Sequence, residues 1–177
     1  MQLSLSSCVV RSWEGGDLAS MVHHANNRRV WLNLRDRFPH PYTKRDGASF
    51  LQRVATAYPE TSFAIVVDGE AAGGIGFMLH QDIERVSAEI GYWLGEALWG
   101  RGICTEALRA VTAFAIRQHG LTRVYAVPFT HNIASCRVLE KAGYVREGHM
   151  RRSAIKDGRI YDQYLYGFVV DAPNPSP

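Results

Sequence analysis

One stretch constrains this chain more than any other: Gly91-Tyr-Trp-Leu-Gly-Glu-Ala-Leu-Trp-Gly-Arg-Gly-Ile-Cys-Thr-Glu-Ala-Leu108. It reads as a strand that ends in a glycine-rich loop and runs directly into an amphipathic helix. Gly100 and Gly102 flank Arg101, and Ile103 to Thr105 open the helix. Such a loop turns backbone N–H groups toward one point, and the helix adds its own unsatisfied N–H groups and the positive end of its dipole. The combination predicts an anion site, with phosphate or pyrophosphate as the fitting ligand. A dinucleotide-binding fold is excluded because the third glycine of Gly-x-Gly-x-x-Gly is absent, and a P-loop because Gly-Lys-Ser/Thr is absent.

The elements around this loop predict a mixed sheet. Residues 4–11 read as a first strand. Asp17 is placed to cap a helix over 18–26, and a short helix follows over 28–34. Phe38-Pro-His-Pro-Tyr42 breaks it, since proline cannot continue a helix. Ala48, Leu51, Val54, Ala55 and Tyr58 then recur at helical spacing, which predicts a helix over 46–58. Strands follow over 63–67 and 71–80, joined at Asp68-Gly69, a strong hairpin signal. The next strand is 87–94. The helix over 103–118 buries Ile103, Ala107, Leu108, Val111, Phe114 and Ala115 and ends at Gly120. A strand over 123–127, a helix over 132–142 and strands over 144–152 and 160–170 complete the order, with a second turn at Asp157-Gly158. Strands and helices so interleaved predict an α/β (mixed α+β) fold: one mixed sheet with helices on both faces.

The bulk numbers narrow the class. The 177 residues suit one domain, expected over 1–170, with the proline-rich 171–177 as a disordered tail. A net charge of +3 suits an anionic small ligand but is too small to argue for direct nucleic-acid binding. No apolar run approaches the ~20 residues that a membrane span needs. Three cysteines, Cys8, Cys104 and Cys136, have no paired spacing, which points to a reducing cytoplasm and to neither a disulfide framework nor a metal site. His23 and His24 are adjacent on a helix and cannot share a face, which argues against metal there too. Oligomeric state has no signal of its own, and a homodimer is compatible with everything above.

A second segment carries the resemblance: Asn132-x-x-Ser135, then Leu139-Glu-Lys-x-Gly-Tyr144 and Glu147-Gly148. Together with Trp99-Gly-Arg-Gly102, Thr105-Glu-Ala107 and Pro39-x-Pro-Tyr42, it resembles the GNAT N-acetyltransferases, and within them the RimJ/RimL branch of ribosomal-protein N-terminal acetyltransferases. The likeness runs from Arg11 to Phe168. The family loop pattern is Gln/Arg-x-x-Gly-x-Gly/Ala, so Trp99 and Cys104 are departures.

The resemblance implies the GNAT fold, with a mostly antiparallel sheet splayed into a V between the fourth and fifth strands and coenzyme A in the opening. It implies an acetyl-CoA-dependent transfer to a primary amine, either a peptide N-terminus or a small molecule, by direct attack in a ternary complex. Tyr92, Trp93 and Leu94 would bond the pantetheine arm through their backbone. Trp99, Gly100, Arg101, Gly102, Ile103, Cys104 and Thr105 would cradle the pyrophosphate. Asn132 and Ser135 would reach the pantetheine and thiol, and Arg137 the outer phosphates. Lys141, on the same helix, reads as a solvated residue.

The chemistry needs a base more than an acid. A protein amine has a pKa of about 8 to 10.4, so at neutral pH it must lose a proton before it attacks, whereas a thiol of pKa about 8.5 leaves tolerably well. Glu89 enters the loop's strand on the same face as Gly91 and Trp93, with Ile90, Tyr92 and Leu94 on the other. It is either the base, directly or through water, or a solvent-facing glutamate. Relatives carry a tyrosine seven residues after the asparagine; here Leu139 stands there, which leaves Ser135 as the hydrogen-bond donor to the sulfur. Leu139 also keeps open an alternative, a non-catalytic acyl-CoA-binding module. Tyr144 is expected in the core, Glu106 beside the helix dipole, and Cys104 as a packing residue. Trp31, Phe38 and Tyr42 are candidate walls of the acceptor groove, and Ser153 to Arg159 would form the opposite wall, with Lys156, Asp157 and Arg159 touching acceptor or solvent.

Overall fold

The structure is a computed structural model and describes residues 1–170; the expected tail, 171–177, lies outside the described residues. Eight strands form one sheet in the order β1-β2-β3-β4-β5-β6-β8-β7, with β1 Gln2–Ser4, β2 Val9–Ser12, β3 Ser62–Val67, β4 Glu70–Leu79, β5 Ser87–Leu94, β6 Arg123–Ala126, β7 Val145–Lys156 and β8 Arg159–Val169. All neighbours run antiparallel except β5 and β6. The helices are α1 Leu18–Ala25, α2 Arg28–Trp31, α3 Lys44–Ala55, α4 Ile103–His119 and α5 Ile133–Lys141. The mixed sheet read from the sequence is present. Among the described residues no helix is long and apolar enough to cross a membrane.

Both faces of the sheet are covered. Phe63 to Val67 of β3 are all buried, as a central strand between two layers must be. Phe63, Ile65, Ile75, Phe77, Ala88 and Ile90 pack with α4 and α5 in the main core, while Ala64, Val66 and Ala71 form a smaller cluster on the opposite face with Val9 and Trp13. On that second face α1 contacts β4 and α3. Helix α4 buries Ile103, Ala107, Leu108, Val111, Thr112 and Ala115, one stripe at helical spacing, and ends at Gly120 in the left-handed conformation. The two Asp-Gly hairpins are where the sequence puts them. Asp68 and Gly69 have φ of 50° and 86°, and Asp157 and Gly158 have 51° and 73°, as a two-residue loop with both φ positive requires.

Several expectations need correction. The strand over 4–11 is two strands, because Leu5 to Cys8 make a turn closed by the Leu5 N–H to Cys8 carbonyl bond at 2.9 Å. Asp17 does not cap α1 through its side chain; Arg11 takes that carboxylate in an ion pair at 2.7 Å. Helix α2 stops at Trp31, three residues early, and its first turn is capped by Asn27. Helix α3 begins at Lys44, capped by Thr43 with Asp46 in a capping box. Its period was legible but its phase was not. Ala48, Ala55 and Tyr58 face solvent, while Gly47 is buried and Phe50, Leu51 and Val54 are half-buried. Gly47 sets that phase: a Cβ there would sit 2.8 Å from Leu18 and 3.0 Å from Met21, so its absence lets α1 and α3 touch. Strand β7 runs on to Lys156, past a register shift between Met150 and Ala154 that resembles a strand end in sequence.

Candidate active site

The cleft is made by two strands that part. Strands β5 and β6 pair only at Ser87–Arg123, Ala88–Val124 and Glu89–Tyr125, although β5 continues to Leu94. The chain beyond β6 stays with β8 instead: Pro128 accepts from the Tyr164 N–H at 3.0 Å, and Phe129 bridges Gln163. Ile90 to Leu94 therefore keep backbone groups free on the side facing the gap, which can bond an extended ligand as a strand would. The V lies between the fourth and fifth strands of the sequence reading, now β5 and β6 because the first strand is split.

At the open end of β5 the glycine loop meets α4. Gly100 and Gly102 have φ of 78° and 82°, and a Cβ on either would find no atom within 4 Å. The left-handed conformation demands glycine, and the space beside it is open for a ligand to approach the backbone. Ile103, 1% exposed, anchors the helix start in the core. Thr105 N–H bonds back to Gly102 at 3.0 Å, while the preceding N–H groups of the first turn have no acceptor within the helix. These features fit a pyrophosphate. Arg101 is exposed beside them. Trp99 holds the loop to its strand: its indole N–H donates to the Leu94 carbonyl at 2.8 Å, and the Arg29 guanidinium lies over its ring. Burial pushes the Cys104 thiol up to about 12, so it packs as a neutral group.

The alternation read from the sequence holds along β5. Ala88, Ile90, Tyr92 and Leu94 belong to the α4–α5 core. Tyr92 crosses to α5, where its hydroxyl lies 2.9 Å from Ser135 Oγ and 3.3 Å from the Ser135 carbonyl. Burial holds that phenol well above its ordinary pKa, so it stays a neutral hydroxyl. Asn132 caps α5, its side-chain oxygen accepting from the Ser135 N–H at 3.2 Å. Leu139 is fully buried and Tyr144 bonds Thr112 at 2.6 Å, so both are core. Arg137 is exposed on α5.

Glu89 and Trp93 point the other way, toward α2 and its loop. Arg35 forms an ion pair with Glu89. Tyr125, the register partner of Glu89, stacks on His80 with its hydroxyl 2.9 Å from Nε2. Phe38 packs edge-on to Trp93, with ring centroids 5.5 Å apart, and Tyr42, 5% exposed, packs behind Phe38. Of the three candidate walls, Phe38 thus meets β5 directly and Tyr42 backs it. Trp31 lies further along, under the β7–β8 hairpin. Lys156 at the hairpin tip is 1% exposed, bonds Asp36 at 2.8 Å and sits 3.8 Å above the Trp31 ring. It was expected to touch acceptor or solvent; burial against Trp31 and Asp36 withdraws it from both. Arg28 and Asp157 add a second tie at 2.5 Å.

The sequence points to Tyr92 only for its backbone and gives no sign of the roles of Arg35 and Tyr125 or of the clasp of Lys156. None has a local signal, since their partners lie 43, 54, 45 and 120 residues away.

Known proteins resemble this chain in sequence and fold. The Acetyltransferase (GNAT) domain family matches residues 8–145. The chain is 39% identical over 101 residues to the uncharacterized N-acetyltransferase YoaA of Bacillus subtilis, a match covering 56% of each chain. It is 29% identical over 110 residues to the ribosomal-protein-serine acetyltransferase of Escherichia coli, covering 62% of this chain and 61% of that one. The chain therefore spans little more than half the length of these relatives. Among solved structures, RimL, a ribosomal L7/L12 α-N-protein acetyltransferase in complex with coenzyme A, superposes with a TM-score of 0.85 at 21% identity, covering 98% of this chain and all of that one. With a family match over most of its length and this cleft at its centre, the chain belongs to the GNAT acetyltransferase family.

Proposed function

We propose that this chain transfers the acetyl group of acetyl-CoA to a primary amine, a peptide N-terminus or a small molecule, by direct attack in a ternary complex. One observation carries the reading: β5 parts from β6 beside two glycines whose backbone stands open at the start of α4. The coenzyme A bound to RimL and the ribosomal-protein-serine acetyltransferase named in Escherichia coli support it. Three free cysteines suit a cytoplasmic protein, and one domain over 1–170 would carry the activity.

Each residue has work that its position allows. The free backbone of Tyr92 to Leu94 would align the pantetheine arm, and Trp99 to Thr105 would receive the pyrophosphate. Glu89 would take the proton of the incoming ammonium, directly or through water. As the C–S bond breaks, Ser135 would donate to the sulfur, with its hydroxyl held by Tyr92. Leu139 lies in the core and offers no hydroxyl, so the catalytic reading rests on Ser135, held by Tyr92, as the donor. The test is thiol release from acetyl-CoA with peptides, polyamines, amino acids and aminoglycosides. Amine-dependent release is expected. Acetyl-CoA that raises the melting temperature without release to any amine would favour the binding module instead.

A further inference from the structure

The ion pair between Arg35 and Glu89 bears on which amine this site accepts, and the argument rests on the acetyl-transfer reading with Glu89 as base. Glu89 is 16% exposed at its side chain, on the face of β5 that the acceptor must approach; Arg35 is 60% exposed and comes from the loop after α2. Its neighbours hold that loop in place. Asp36 is gripped by the buried ammonium of Lys156, the Phe38 N–H donates to the Arg35 carbonyl at 3.0 Å, and the Phe38 ring packs on Trp93. Three other cations on this wall have carboxylates of their own: Arg28 has Asp157, Arg29 has Glu96 and Lys156 has Asp36. Arg35 instead occupies the one carboxylate that the reaction needs.

An acceptor arrives as an ammonium ion. To reach Glu89 it must share that carboxylate with a guanidinium that never loses its charge, and two cations on one carboxylate repel. An acceptor that carries an anion resolves the conflict, since its ammonium can bond Glu89 while its anion bonds Arg35, and every charge keeps a partner. The two side-chain ends touch, so a ligand that serves both must carry its ammonium and its anion on neighbouring atoms. We infer that Arg35 makes this site select amines with a carboxylate on the adjacent carbon, the α-amino acid class, and that Arg35 is the specificity residue for the acceptor carboxylate. In the transfer, the ammonium first gives one proton to Glu89. The free nitrogen then attacks the thioester carbonyl, the C–N bond forms and the C–S bond breaks. The second nitrogen proton leaves to solvent while the departing sulfur is protonated from the Ser135 side, and Ser135 regains its proton from solvent, so that amide, thiol and one net proton result. Arg35 exchanges no proton and holds the carboxylate throughout. The rings of Phe38 and Trp93 beside Glu89 make an aromatic side chain a suitable probe.

The experiment measures thiol release from acetyl-CoA with L-phenylalanine, L-phenylalaninamide, phenethylamine and a peptide with an uncharged first residue. It uses wild-type protein and Arg35→Gln. The amide has the less basic nitrogen, more of it free at neutral pH, so a preference for the acid would run against intrinsic reactivity. Wild type is expected to favour L-phenylalanine over the amide and phenethylamine by about 10-fold or more in kcat/KM, the size of a lost hydrogen bond to a charged group. Arg35→Gln should lose that preference by slowing the acid while the amide is unchanged or faster, because its ammonium no longer shares Glu89 with a guanidinium, a split that a merely structural role for Arg35 would not produce. Wild type that turns over the amide or the peptide as well as the acid overturns the inference while the acetyl-transfer reading stands. So does an Arg35→Gln variant equally impaired toward all four. Release with none of the four, or with the peptide only, also removes the inference, and release with no amine of any class removes the acetyl-transfer reading as well.

Discussion

At the scale of single residues, the site divides its chemistry between the two faces of β5. Glu89 faces the loop after α2 and Tyr92 faces α5, so on the proposed roles proton removal and proton delivery would be separated by the strand itself. Glu89→Gln keeps shape and hydrogen bonding but cannot accept a proton. Turnover is expected to fall by ~100-fold or more at neutral pH with cofactor affinity unchanged, and the loss should shrink at high pH, where free amine is plentiful. Near-normal turnover at neutral pH would shift the role to the neighbouring Tyr125 and His80 pair, which is joined at 2.9 Å. On the other face, Ser135→Ala should slow single-turnover thiol release less than Glu89→Gln does, because a thiol leaves more easily than an ammonium attacks. Tyr92→Phe removes the hydroxyl 2.9 Å from Ser135 Oγ and should reproduce part of that loss. In the double variant the two effects should not add, since both act through one hydrogen bond. Additive losses, or lost coenzyme A binding in either variant, would show that these hydroxyls hold the pantetheine or the fold and do not serve the sulfur.

At the scale of elements, the start of α4 is fixed from two directions. Inside the loop, Gly102 has a φ of 82° and open space where a Cβ would project. Gly102→Val strains the backbone and fills that space, so the melting-temperature rise given by coenzyme A should disappear from protein that still folds. A retained rise would remove the phosphate assignment. From outside, Glu106 grips the β1–β2 turn: its carboxylate accepts from the Ser6 N–H at 2.8 Å, the Ser6 hydroxyl at 2.7 Å and the Ser7 N–H at 3.0 Å, and also from the Ser7 hydroxyl. It was expected beside the helix dipole, and it also stitches the first hairpin to α4. The Ser7 and Ser6 hydroxyls, then the Ser6 N–H, hold this carboxyl down at about 2, from an ordinary value of 4.5. A carboxylate whose folded pKa is depressed stabilises the fold above its unfolded pKa, and that stability is lost as pH falls from about 4.5 toward 2. Solvent screening reduces the contribution of so exposed a group to about 1 kcal/mol. Glu106→Ala should therefore lower the neutral-pH melting temperature by about 2–4 °C and narrow its gap to wild type in acid. A gap that is constant from pH 7 to pH 2 would count against the clasp.

At the scale of the whole molecule, a single mixed sheet, the V between its parting strands and helices on both faces were all legible, but for different reasons. Helix α4 announced itself through a stripe of apolar residues between Gly102 and Gly120, and the two Asp-Gly hairpins through residues that tolerate positive φ. These are local signals, set by backbone sterics and by periodicity within one element. The V came from resemblance, since no short stretch encodes where two strands cease to pair. The phase of α3 was misread because the residue that sets it, Gly47, matters through its contact with α1 and not through its own apolarity. Most elements, the turns and the loop whose glycines must stand open could be read along the chain, because each depends on the conformations that its own residues allow. What faces what emerges from the fold alone: Tyr92 on Ser135, Arg35 on Glu89, Lys156 buried between Trp31 and Asp36. Those partners are tens of residues apart, and a side chain's charge or hydroxyl gains a specific role only when folding brings its partner within hydrogen-bond distance and removes the water between them.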